Sequence, residues 1–345
     1  MGHDDSPHQR RVRYQGTHPR RFVEKYKELA PAAHAEELEK VMARGQTPAG
    51  THRSIMVAEI MAVLEPQPGE VALDATLGYG GHTQELLPRL LPGGRLFGVD
   101  VDPLELPRTE ARLRALGFGE EVFLARRMNF AGLPRLQAEA GGFDVVLADL
   151  GVSSMQIDNP ARGFSWKAEG PLDLRLNPQR GKSAADLLAS LDEQTLAELL
   201  ADNADEPHAL AIAREIQGHD IRTTRDLANR IRAALGEAGQ NPDDTKKSLQ
   251  RTFQALRIAV NDEFTVLDQF LSLLPPCLNP GGRVAILSFH SGEDRRVKKA
   301  FQQGLRDGIY AEIAPEPLRA TPEERRSNPR STSAKLRWAR RDGVG

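Results

Sequence analysis

From Ile55 onward the chain alternates between two hydrophobic periods. Ile55–Leu64 repeats its apolar residues at helical spacing. Val71–Thr76 is a short continuous apolar run, which predicts a buried strand, and Thr83–Leu91 returns to helical spacing. Arg95–Val99 predicts a second strand ending in Asp100, and Leu104–Leu116 a helix. Val122–Ala125 predicts a third strand, and Phe143–Ala148 a fourth ending in Asp149. Strands that alternate with helices predict a parallel, doubly wound α/β sheet, with its strand C-termini along one edge.

After Ser154 the alternation stops. Asp158–Arg180 is rich in Pro, Gly and Asn and reads as a structured loop. Residues 183–235 read as short amphipathic helices, with start signals at Ser183, Asp192 and Thr223–Thr224. Thr245–Leu274 reads as one longer helical stretch, and the strand pattern returns at Arg283–Ser288. The simplest organisation is an all-helical domain over 157–261 inserted into an α/β domain built from 51–156 and 262–345. Residues 1–50 form a separate, arginine-rich extension with a short helix near Ala35–Ala43.

Composition narrows the chemistry. The chain has 345 residues, a formal net charge of −2 and one cysteine, Cys277, so it holds no disulfide framework and no Cys-based zinc site. No apolar run nears the ~18 residues of a membrane span, and the polar N-terminus lacks a secretory core, which favours a cytoplasmic protein. Contact with nucleic acid must come from local patches. One is the N-terminal extension; another follows Leu318, with eight basic residues against three acidic.

Four constellations gather at the predicted strand ends. Gly78, Gly80, Gly81 and His82 lie where the first strand turns into a helix, and a helix N-terminus can hold a polar group. Asp100 stands 22 positions after Gly78, where nucleotide-type folds place an acid for ribose hydroxyls. The neighbouring Asp102 precedes Pro103 and reads as a helix cap. Loop and acid together predict an adenosine-containing ligand, NAD or S-adenosylmethionine. The glycine spacing departs from G-x-G-x-x-G and favours the second. Asp149 and Gln156 follow the fourth strand. His290, within Ser288–Arg295, follows the returning strand and reads first as a buried structural histidine. In the long helix, Phe253, Leu256 and Val260 share a core face, whereas Arg257 and Asn261 are four apart and read either as substrate contacts or as surface charge.

Leu73–Thr83, Asp149–Asp158, Arg162–Ser165, Gly170–Arg175, Phe253–Asn261, Pro280–Val284, Ser288–Arg295 and Ser333–Arg337 together resemble, in order, the signature blocks of the bacterial MraW (RsmH) methyltransferases. The resemblance spans about His52 to Arg340. It implies a Rossmann-like class I S-adenosylmethionine-dependent methyltransferase with an inserted helical domain, acting on the exocyclic N4 of a cytosine in 16S rRNA of the small ribosomal subunit. It places Gly80, Gly81 and His82 in the cofactor loop, Asp100 at the ribose and Phe130 at the adenine. Asp149 and Gln156 complete the pocket, with Asp149 as the catalytic carboxylate. Ala75, Leu77, Tyr79 and Gly292 stand where the family more often has Gly, Phe, Arg and Leu. The oligomeric state stays open, a homodimer included. The rivals are an enzyme acting on another substrate, an NAD-dependent oxidoreductase, and a non-catalytic RNA-binding assembly factor.

Overall fold

The computed structural model describes residues 54–237 and 241–343. The N-terminal extension and its short helix near Ala35–Ala43 lie outside them. In chain order the elements are α1 (Val57–Leu64), β1 (Val71–Asp74), α2 (Gly81–Leu90), β2 (Arg95–Asp100), α3 (Glu105–Ala115), β3 (Phe123–Arg127), α4 (Leu133–Ala140) and β4 (Phe143–Asp149). A helical stretch follows: α5 (Ser154–Asp158), α6 (Ala184–Ser190), α7 (Glu193–Ala204), α8 (Ala209–Ile216), α9 (Thr224–Glu237), α10 (Pro242–Asn261) and α11 (Glu263–Cys277). The chain then forms β5 (Leu278–Ser288), α12 (Ser291–Arg306), β6 (Tyr310–Ile313), α13 (Pro322–Ser327) and β7 (Lys335–Arg341).

The strands form one sheet in the order β3-β2-β1-β4-β5-β7-β6. Pairing is parallel from β3 through β5, and β7 runs antiparallel between β5 and β6. The central strands bury both faces, which is why they read as unbroken apolar runs. Leu73, Val146, Val284 and Ile286 pack on one side against Leu136, Phe270, Leu274 and Phe301. Ala72, Val145, Leu147 and Leu287 pack on the other against Ile60, Leu64, Leu87 and Leu113. Each fully buried leucine of this kind contributes about 1.5–3 kcal/mol over its exposed state.

The helices between β4 and β5 have an apolar core of their own, with Leu172, Leu200, Ile212, Leu227, Phe253 and Leu256 at its centre. Local chemistry starts them as the sequence suggests. Ser183 and Asp186 form a capping box at α6, Asp192 caps α7, and Thr223 accepts the Asp226 N–H at α9. The long helical stretch divides at Asp262, whose left-handed φ of 51° ends α10 and opens α11.

The hydrophobic pattern does not announce β6 and β7. Lys335–Arg341 has the composition of a basic tail, yet it is a strand beside β5. Within it, Arg337 is buried and pairs with Asp294 at 2.6 Å, and Lys335 meets the same carboxylate at 2.8 Å. Arg330 likewise pairs with Asp158 at 3.2 Å. Much of that basic segment therefore serves the fold.

Candidate active site

Because β1 lies between β2 and β4, the acids ending these three strands stand side by side at the C-terminal edge. The strand order also reverses beside β1, and in open α/β sheets ligands bind at the strand C-termini beside such a reversal. Asp74 is buried and holds the loop after β1. Its Oδ1 accepts the Thr76 N–H at 3.1 Å, and its Oδ2 accepts the Thr83 hydroxyl at 2.7 Å. The Thr76 Oγ1 in turn accepts the backbone N–H of Asp149 at 2.6 Å.

The glycine loop is seated on Asp100. The Gly78 N–H donates to Asp100 Oδ2 at 2.8 Å, and the Asp102 N–H donates to Oδ1 at 2.9 Å. Gly78 has φ 47° and Gly80 has φ 70°, left-handed values that favour glycine. Behind the loop the protein itself approaches closely. A Cβ on Gly80 would lie 2.9 Å from Thr109 Cγ2, and one on Gly81 would run into Ser54 Oγ. Burial, with Asp102 and Asp74 nearby, pushes the Asp100 carboxyl up to about 6 despite its two N–H donors.

His82 opens α2. Its Nε2 is 2.9 Å from the Ile55 carbonyl oxygen, and its Nδ1 is 3.7 Å from Asp149 Oδ2. The Asp149 side chain is 30% exposed. Desolvation pushes its carboxyl up to about 6; His82 opposes this, and Asp74 and Glu293 add to it. Among the described residues, no donor hydrogen-bonds the Asp149 carboxylate. It is a partly exposed acceptor open to a donor from outside.

Phe130 follows β3, half-buried, with its ring edge-to-face on Phe270 at 5.0 Å between centroids. Gln156 does not present an open amide to this edge. Its Oε1 accepts the Ser153 N–H in a capping box, and its Nε2 donates to Asp102 Oδ2 at 2.8 Å. Asp102 does start α3, accepting the Leu104 N–H, but it is also the buried partner of Arg162, a pairing that no spacing in the sequence signals.

Arg257 and Asn261 are both engaged within the fold. Arg257 makes a two-pronged pair with Glu263, both bonds at 2.9 Å. Asn261 accepts the Leu176 N–H and donates to the Leu174 carbonyl, which holds Leu174 at φ 63°. His290 is mostly buried, with Nε2 at 3.1 Å from Glu293 Oε1 and its ring near Phe264. Glu293 also accepts the Phe289 N–H. Cys277 ends α11, just before β5, at the sheet edge opposite the acids, and burial raises its thiol.

A seven-stranded sheet of this order, with a glycine loop after β1 and an acid ending β2, defines a Rossmann-like S-adenosylmethionine-dependent methyltransferase. The sequence profile of the MraW methylase family matches residues 49–342, and the chain belongs to that family. It is 56% identical over 346 residues to a protein of Alkaliphilus metalliredigens named ribosomal RNA small subunit methyltransferase H 2, covering 98% of this chain and 99% of the relative. A protein of Lachnoclostridium phytofermentans named ribosomal RNA small subunit methyltransferase H 1 is 52% identical over 340 residues, covering 96% of this chain and 93% of the relative. No helix among the described residues is long and apolar enough to cross a membrane.

Proposed function

We propose that the enzyme transfers the methyl group of S-adenosylmethionine to the exocyclic N4 of a cytosine in 16S rRNA of the small ribosomal subunit. One observation carries the reading: Asp149, a desolvated carboxylate with no protein donor among the described residues, ends the strand beside the glycine loop. The names of the close relatives support an rRNA substrate.

The donor set fits the cofactor. The carboxylates of Asp100 and Asp149, at the strand ends on either side of β1, suit a ligand carrying sulfonium and ammonium charges. Gly80, Gly81 and His82 would line its loop, Asp100 would accept ribose hydroxyls, and Phe130 would pack near the adenine. Gln156 would shape the wall through Ser153 and Asp102 and not by direct contact. When bound, the cofactor supplies an electrophilic methyl.

The N4 lone pair of cytosine is delocalised into the ring. Asp149, accepting an N4–H hydrogen bond, would localise that pair and offset the positive charge that develops on nitrogen. A base within a stack cannot present N4 in line, so the target base is flipped or drawn from a distorted strand. Residues 157–261 would grip the surrounding RNA as the substrate-recognition domain. Methylation at C5 would need a thiol nucleophile, and Cys277 is at the far edge.

Nucleoside mass spectrometry of 16S rRNA from cells with and without the protein tests this. Loss of an N4-methylated cytidine without the protein is expected. An unchanged nucleoside profile overturns the reading.

A further inference from the structure

We propose that Arg257 selects the target base: its Nη1 donates to the acceptor edge of the cytosine, N3 and O2, while Asp149 accepts from N4. This rests on the N4-methylation reading and names a specificity-determining residue for it.

The fold uses two of the three guanidinium nitrogens. Nε and Nη2 of Arg257 both donate to Glu263 at 2.9 Å, and among the described residues no group hydrogen-bonds Nη1. Glu263 comes within reach because Asp262, at φ 51°, ends α10 and opens α11. The two-pronged pair fixes the guanidinium plane, so Nη1 is held in one direction before any ligand arrives. That direction is toward the end of β4. Gly151, two residues past Asp149, is exposed and has φ 95°. A Cβ placed on it would lie 3.9 Å from Arg257 Nη1. Two residues of chain span at most about 7 Å, so the Asp149 carboxylate and the Arg257 donor address the same gap. Both side chains reach solvent, with 30% of Asp149 and 14% of Arg257 exposed.

An acceptor beside a fixed donor matches the edge of cytosine. That edge presents one donor, N4–H, and then two acceptors, N3 and O2. A carboxylate answers the first and a guanidinium N–H answers the others. Uracil would set O4 against the carboxylate and N3–H against the guanidinium. Adenine also carries an exocyclic amine, but it has C2–H where cytosine has O2, and Nη1 would lose that acceptor. A phosphate is the poorer occupant. Glu263 and Glu293 already act on Arg257, and a further anion would face both carboxylates.

The test compares the wild-type protein with Arg257→Lys, which keeps a cation against Glu263 and gives up the fixed fork. The substrate is the small ribosomal subunit, reconstituted with 16S rRNA whose target base is cytosine or 2-thiocytosine, a weak acceptor where O2 would be. In single turnover the wild type should methylate the thio base at least about tenfold more slowly, and Arg257→Lys should lose a similar factor on cytosine. In the variant the thio penalty should shrink to within about twofold, because the contact is already gone. S-adenosylmethionine affinity, by calorimetry, should stay within about threefold of the wild type. A full thio penalty in Arg257→Lys overturns the proposal, as do equal wild-type rates on the two bases. A loss confined to subunit affinity, with a shallower salt dependence, also overturns it, because that is the mark of a phosphate contact. Should Arg257→Lys not fold, the wild type decides: discrimination against both 2-thiocytosine and adenine at the target position supports the proposal, and equal rates overturn it. Product analysis on the unmodified subunit reports the underlying reading separately. A wild-type product other than N4-methylcytidine fails that reading, and this proposal with it, whatever the thio ratio.

Discussion

Arg162 Nη1 lies 2.7 Å from Asp102 Oδ2, and neither side chain is more than 6% exposed. The Arg162 Nη2 also donates to the carbonyls of Arg175 and Leu176. The Asp102 backbone N–H, in turn, holds Asp100. One buried ion pair therefore joins the acid at the end of β2 to the loop that leads into the helices between β4 and β5. Arg162→Met would strand a buried carboxylate, and we expect it to cost about 3–5 kcal/mol by urea denaturation. The double variant Asp102→Leu with Arg162→Met should recover more than half of that loss, because no charge remains to be solvated. A single-variant cost below about 1 kcal/mol would mean that the pair is not buried in solution.

As the proposed ribose acceptor, Asp100 should give cofactor binding a pH dependence of definite sign. Ribose hydroxyls donate to a carboxylate, so the ionised acid is the binding form. Its carboxyl is pushed up to about 6. Affinity for S-adenosylmethionine should be full well above that pH and fall as the pH drops through it, by at most about tenfold per unit for this one proton. Asp100→Asn should bind more weakly at about pH 8 and show a shallower acid limb in calorimetry. A limb of unchanged steepness in the variant would assign the titration to another group, Asp149 first.

Asp149→Asn should separate stability from catalysis. In the unfolded chain this carboxyl titrates near its ordinary value of 3.8, and in the fold it is pushed up to about 6. The raised value means that ionisation disfavours the folded state: the carboxyl's contribution is best below about pH 4 and is lost as pH rises through 6. Removing the charge should therefore stabilise the free protein by about 1–2 kcal/mol at about pH 8, after allowance for the partial exposure of the side chain, and by little at about pH 4. Methyl transfer should be lost. Urea midpoints at the two pH values check this, and a variant less stable at the higher pH would show that the carboxylate supports the fold.

The strands and their terminal acids were legible because burial on both faces turns each strand into an apolar run, as in Val71–Asp74 and Phe143–Asp149. Partners distant in sequence were not. Arg337 interrupts the apolar pattern of β7 and is tolerated there because Asp294, 43 residues away, neutralises it. Arg257 and Asn261 share a helix face, as their spacing requires, but Glu263 and the carbonyl of Leu174 engage them only in the folded chain. Gln156 carried two local meanings. Ser153 three residues before it spells a capping box, and that local use, together with Asp102, occupies the amide. The end of α10 at Asp262 had no glycine or proline to announce it.

The C-terminal arginines divide into two functions that one experiment can tell apart. Arg337 is 4% exposed and bonded to Asp294, so Arg337→Met should destabilise the protein by about 3 kcal/mol or more. Arg325 and Arg326 are exposed on α13. Reversing both to glutamate should leave stability within about 0.5 kcal/mol. It should weaken binding to 16S rRNA fragments at low salt, and the dependence of log affinity on log salt should become shallower by roughly one for each phosphate that the variant no longer neutralises. If the reversal leaves both affinity and salt slope as they were, α13 lies off the RNA path, and the grip on phosphate must come from other basic surfaces of the protein.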